Sequence, residues 1–194
     1  VMVDNVLFQA GKLAGMDASG LESDAFKRRH ARYGVVTLHR PSNVDSEESL
    51  RRVGQVLAEI ARDLPLAFPV HPRTRANIER FGIELGPNVE LMGPQPYMSF
   101  LHLWKDAAVV LTDSGGLQEE TTALGVPCVT IRENTERPIT VDEGTNVLAG
   151  TDPQTVIAAA REAIAGRGKR GRRPALWDGA AAQRIVDILV RELA

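Results

Sequence analysis

Cysteine is almost missing from this chain of 194 residues, where Cys128 stands alone. A single thiol excludes an internal disulfide and a cysteine-built metal cluster and fits a reducing compartment; the side chain reads as a small apolar residue in a buried strand. No charge of either sign is in excess. With 23 Lys and Arg against 25 Asp and Glu, the formal charge is -2, so no global field points to nucleic acid or an anionic membrane, and a charged ligand must be held locally. Long apolar runs are also missing. None approaches the ~20 residues of a membrane span, and nothing resembles a signal peptide, which predicts a soluble cytoplasmic protein. The basic run "GRGKRGRRP" (166–174) lacks interleaved aromatics and reads as a solvated loop.

What the chain does have is a rhythm. From about residue 34, short β-rich runs alternate with helical patterns. The strand candidates are 34–38, 66–70, 88–93, 108–112, 127–131 and 145–150; the helical candidates are 46–62, 74–81, 97–105, 115–124, 136–143 and 153–165. In "VDSEESLRRVGQVLAEIARDL", Ser46 can cap a helix whose Leu50, Val53, Val56, Leu57 and Ile60 share one stripe. Strands joined by right-handed helical crossovers predict a doubly wound parallel sheet, Rossmann-like, with ligands at the carboxyl ends of the strands. Residues 1–30 read as a helical arm whose stripe of Val3, Val6, Leu7, Ala10 and Leu13 needs something missing to pack on. Residues 31–194 form the main domain, ending in an amphipathic helix at 179–193.

Four strand ends carry chemistry. In "TDSGGLQEE" (112–120) a strand turns into a helix at Ser114, Gly115 and Gly116, where free N–H groups and the dipole end make an anion site that glycines leave open. Ser114 adds a hydroxyl, and Glu119 and Glu120 follow one turn later, where a carboxylate suits a ribose diol. Together they suggest a nucleoside diphosphate site; alternatively, Ser114 is only a cap and the acids only complement the dipole. His39 and Arg40 follow the first strand, and His71, Arg73 and Arg75 follow the second, so two histidine loops are expected at one crevice. Zinc is a weaker reading, since no familiar ligand spacing appears. His30 and His102 lie in helical patterns and read as structural. After the fifth strand come Arg132, then Thr135 as a possible helix cap, with Glu136 and Arg137 at the crevice mouth.

These segments, in this order, resemble the non-hydrolysing UDP-N-acetylglucosamine 2-epimerases. The matching stretches are "VTLHRPSNVD", "PVHPRT", "LTDSGGLQEETTALGVPCVTIRENTERPITVDEGTNVLAGTD" and "DGAAAQRIVDIL", which cover most of residues 35–190. The resemblance implies the C-terminal, UDP-binding half of a GT-B type fold, with the N-terminal domain and its catalytic acids absent and the last helix crossing over. It implies a reaction that interconverts UDP-N-acetylglucosamine and UDP-N-acetylmannosamine by eliminating UDP to leave a 2-acetamidoglucal, then re-adding it. Carried over by position, Ser114, Gly115 and Gly116 would hold the diphosphate and Glu120 the ribose. His39 would act in catalysis or substrate binding beside Arg40, with His71, Arg132, Glu136 and Arg137 also lining the cleft. No cofactor or metal is implied, no nucleic acid or membrane partner is expected, and the full-length family member is expected to dimerise.

Two positions depart from the family pattern. Ser42 stands where an acid is common, which touches a polar cleft contact, and Ile139 stands where Glu is usual, which concerns helix packing. The chain alone is expected to bind UDP weakly and not to epimerise. Two other readings fit the same turn: half of a GT-B glycosyltransferase, and a non-catalytic nucleotide-binding domain.

Overall fold

The six apolar runs become six strands in a computed structural model that describes residues 1–193. They are β1 (Gly34–Thr37), β2 (Leu66–Pro69), β3 (Val89–Met92), β4 (Val109–Thr112), β5 (Cys128–Thr130) and β6 (Asn146–Leu148). Their order is β3-β2-β1-β4-β5-β6, and every pairing is parallel. The chain winds outward one way from β1 and the other way from β4, so the sheet reverses between these two. That is where a doubly wound sheet opens a crevice at its carboxyl edge. Residues Gly34 to Thr37 pair in register with Val109 to Thr112, which sets the two strand ends side by side. The expected doubly wound α/β architecture is therefore borne out.

Ten helices flank the sheet among the described residues: α1 (Met2–Ala14), α2 (Glu22–Arg29), α3 (Pro41–Val44), α4 (Glu47–Ile60), α5 (Pro72–Arg80), α6 (Tyr97–Trp104), α7 (Gly115–Leu124), α8 (Pro138–Asp142), α9 (Pro153–Ile164) and α10 (Ala181–Leu193). Ser46 caps α4 as expected, its Oγ accepting from Ser49 N at 3.1 Å. Leu50, Val53, Val56, Leu57 and Ile60 are buried beneath it. Two cores result, one per sheet face. One gathers α4, α5 and α9 side chains around Phe68 and Leu111; the other gathers α1, α2, α6 and α7 side chains around Trp104 and Val110.

Three expectations are corrected. The arm is two helices, and its stripe is not left waiting: Val3, Val6 and Leu13 are buried, and α1 packs on α6 and α7. The residues that cover it lie within the chain. The helix predicted from residue 136 starts two residues later, because the non-helical Arg137 is its cap and Pro138 fixes the first helical φ. Thr135 is not the N-cap, but its Oγ1 accepts from Arg137 N at 3.0 Å just ahead of the helix. The backbone of the basic loop is less free than its composition suggests. Gly171 lies so close to the Gly144 backbone that any Cβ there would collide with it, and Arg172 N donates to Glu143 O at 2.8 Å.

Candidate functional site

Three adjacent strand ends, those of β1, β4 and β5, build the candidate site, and a carboxylate holds its centre. β4 is followed by Asp113, which is fully buried. Its Oδ2 accepts from Arg40 N at 2.9 Å and from Asn43 Nδ2 at 3.0 Å. Its Oδ1 accepts from His39 N at 3.1 Å and lies 3.0 Å from His39 Nδ1. This one side chain therefore ties the turn after β1 to the end of β4 across the reversal point. The turn itself is the short α3, which periodicity did not reveal and which Pro41 starts.

The charges respond to that arrangement. The Asp113 hydrogen bond raises the His39 imidazole above its ordinary value, against burial and the nearby Arg40 and Arg132. Burial works to raise the Asp113 carboxyl, yet the hydrogen bonds from His39, Arg40 and Asn43 outweigh it and hold it below the usual carboxylate range.

Beside this pair, α7 begins. Ser114 stands at its N-cap in extended conformation, and its hydroxyl makes no capping bond, so the simple capping reading of Ser114 is not what the geometry shows. Its N–H donates to Thr112 Oγ1 at 2.9 Å. Gly115 and Gly116 open the first turn. A Cβ at Gly115 would meet only Glu136 Oε2, at 3.8 Å, and one at Gly116 would meet only the end of Met2 from α1. Peptide N–H groups at a helix start suit an anion.

One turn along, Glu120 accepts from Tyr97 Oη at 3.0 Å. Burial, and then Glu119, raise the Glu120 carboxyl, while Tyr97 partly offsets them. Burial and Glu120 in turn push the Tyr97 phenol up.

After β5, Arg132 grips Glu136 with two nitrogens at 3.0 and 2.8 Å. That grip draws the Glu136 carboxyl down to about 2. Arg132 is only 11% exposed, while Glu136 is 56% exposed. Arg137 turns back to Glu119, 3.1 Å away.

A buried polar chain positions this loop. Thr130 Oγ1 donates to Asn146 Oδ1, Asn146 Nδ2 donates to Gln118 Oε1 and Thr140 Oγ1, and Thr135 Oγ1 donates to Gln118 at 2.6 Å. Gln118 Nε2 also donates to Ser114 O at 3.2 Å. The Ser-Gly-Gly turn and the Arg132 loop are thus one connected unit.

His71 is the exception. It ends β2, is exposed, and spends its Nδ1 accepting from Arg73 N at 3.3 Å as the cap of α5. It does not join the His39 pair. Arg73 pairs with Asp45 and Arg75 donates to Met92 O, so both are committed to the fold. His102 is structural as expected, with Nδ1 2.9 Å from Ser23 Oγ. Among the described residues, no group of three or more His, Cys, Asp or Glu side chains is gathered as metal ligands would be.

The family model for UDP-N-acetylglucosamine 2-epimerase matches residues 1–190. The chain belongs to that epimerase family. A UDP-N-acetylglucosamine 2-epimerase from Methanococcus maripaludis is 37% identical over 84% of this chain and 46% of its own length. A UDP-2,3-diacetamido-2,3-dideoxy-D-glucuronate 2-epimerase from Pseudomonas aeruginosa is 36% identical over 81% of this chain and 44% of its own. A crystal structure of the Methanocaldococcus jannaschii UDP-GlcNAc 2-epimerase in complex with UDP-GlcNAc and UDP superposes with a TM-score of 0.83 at 34% identity, covering 98% of this chain and 53% of that one. The chain spans about half the length of the epimerases it matches. Asp113, Asn43, Gln118 and Tyr97 are the parts of the site that sequence reasoning missed. Asp113 was visible as an acid directly after the strand run "AVVLT", but its burial was not.

Proposed function

We propose that this chain is the UDP-binding half of an epimerase that interconverts UDP-N-acetylglucosamine and UDP-N-acetylmannosamine, working as one side of a two-domain GT-B type cleft. The observation that carries the reading is the open turn at Ser114, Gly115 and Gly116, whose hydroxyl makes no capping bond and whose glycines leave the backbone uncovered, at the strand ends that also carry Arg40, Arg132 and the raised imidazole of His39. In elimination the proton leaves carbon 2, the bond from carbon 1 to the diphosphate oxygen breaks, and charge grows on the leaving phosphate. Fixed donors at that position are worth most in the transition state. Glu120, with Tyr97 beside it, is suited to accept from ribose hydroxyls. His39 is the catalytic candidate in this chain, and Arg132, Glu136 and Arg137 shape the mouth. His71 stands one strand further out, as a wall.

The near-equal identity to the diacetamido-glucuronate enzyme supports a second substrate reading, a UDP-sugar modified at carbons 3 and 6, without changing the UDP half. The partner half is proposed from the length of the relatives, and α10 is its docking element. Ile185, Val186, Ile188, Leu189, Val190 and Leu193 of α10 are all exposed. Incubation of residues 1–194 with UDP-N-acetylglucosamine in D2O tests the division of labour. The expected result is UDP binding without deuterium at carbon 2 of the sugar; incorporation would place the base within this half.

A further inference from the structure

We propose that Asp113 is a positioning residue for His39: its buried carboxylate accepts a hydrogen bond from Nδ1–H and so turns Nε2 away toward solvent. The proposal deepens the nucleotide-site reading and rests on it for its functional meaning.

Asp113 is fully buried, and a buried carboxylate is costly without a compensating positive charge. Its oxygens contact two peptide N–H groups, the Asn43 amide and the His39 ring. Only the ring can carry charge among these. No Lys or Arg nitrogen forms a salt bridge with it, and Arg132 acts from further away. The peptide and amide contacts account for holding the turn after β1, but they do not need an imidazole. The contact at 3.0 Å to Nδ1 is the one that does. An ionised carboxylate can only accept, so Nδ1 must be the protonated nitrogen even when the ring is neutral.

Nε2 lies on the other edge of a ring that is 49% exposed, and it makes no hydrogen bond among the described residues. It is left free to give a proton to a phosphate oxygen, or to take one back. The charged groups facing the ring are Asp113 from the end of β4, Arg40 from its own turn, and Arg132 from the loop after β5. The two arginines oppose protonation and the carboxylate favours it, so the carboxylate decides the balance.

The test is an NMR titration of the chain with 15N-labelled imidazoles, the His39 signals being assigned by their loss in His39→Gln. In the wild type we expect a protonated Nδ1 throughout and a titration midpoint above the ordinary ~6.5. In Asp113→Asn the midpoint should fall by about one pH unit or more, and the neutral ring should move toward the Nε2–H form. A wild-type His39 with an ordinary midpoint and a bare Nδ1 would overturn the proposal, even if Asp113→Asn does not fold. So would a folded Asp113→Asn with an unchanged midpoint. Adding UDP while following the Ser114, Gly115 and Gly116 amides separates the two readings. Silent amides beside an intact His39 tautomer would sink the nucleotide reading alone, and shifted amides beside an ordinary His39 would sink this one alone.

Discussion

At the scale of single residues, the site is governed by which groups can be charged. His39 has its imidazole raised by Asp113, so the cation it offers an anion persists to higher pH than a free histidine would allow. The same sign applies to folding: the stabilisation is complete below the ordinary value near 6.5 and is lost as pH rises through the raised one, a small effect because the ring is half exposed. We therefore predict that UDP binds more weakly as pH climbs from about 7.5 to about 8.5, a range in which the terminal phosphate of UDP has already lost nearly all of its last proton. Calorimetry across that range should show the slope in the wild type and a flat response in His39→Gln. A slope that survives the substitution would assign the titration to another group. Ser114, the glycines and His39 were legible because strand-end residues in a parallel sheet have few reasons to be polar. Asp113 was not, since nothing in its spacing says that a carboxylate next to a serine is buried and the serine is not. His71 looked equivalent to His39 from its place after a strand, but it lacks an acid on the neighbouring strand to hold it.

At the scale of elements, periodicity succeeded where burial is one-sided and failed where a helix is barely one turn long. The stripe of α4 reads directly from Leu50 to Ile60, all six strands lie within their expected runs, and α8 lies within its expected 136–143. The four residues of α3 are too few to repeat a 3.6-residue period, and Pro41 starts it instead. Gln118 was also hidden, because a glutamine on an apolar helix face looks like an exposed neighbour until its partners Asn146 and Thr135 are placed. The cap of α4 was legible in Ser46 ahead of its stripe. Ser46→Ala should cost about 1 kcal/mol in urea unfolding, with UDP affinity unchanged because α4 touches none of the proposed ligand contacts. A loss several times larger would mean that Ser46 does more than cap.

At the scale of the whole molecule, the two faces of the sheet are each closed by their own helices, while α10 has no fully buried residue among those described. Its start is tied to α1, where Ala182 N donates to Asp4 Oδ2 at 2.6 Å, yet its apolar face of Ile185, Val186, Ile188, Leu189, Val190 and Leu193 is exposed. In an arrangement where that face meets the partner half, the chain alone should associate through it. Sedimentation of residues 1–194 should show concentration-dependent association that Ile188→Ser combined with Leu189→Ser removes, leaving UDP affinity intact. Monomers at all concentrations in the wild type would argue that α10 folds back on its own domain.

The central claim is that the turn at the start of α7 receives a diphosphate while Glu120 holds a ribose. It is tested most directly by calorimetric titration of UDP into the wild type, Ser114→Ala and Glu120→Ala. The account predicts saturable one-to-one binding that each substitution weakens by about tenfold, roughly 1.4 kcal/mol. Binding that neither substitution alters, or no binding at all, would contradict it.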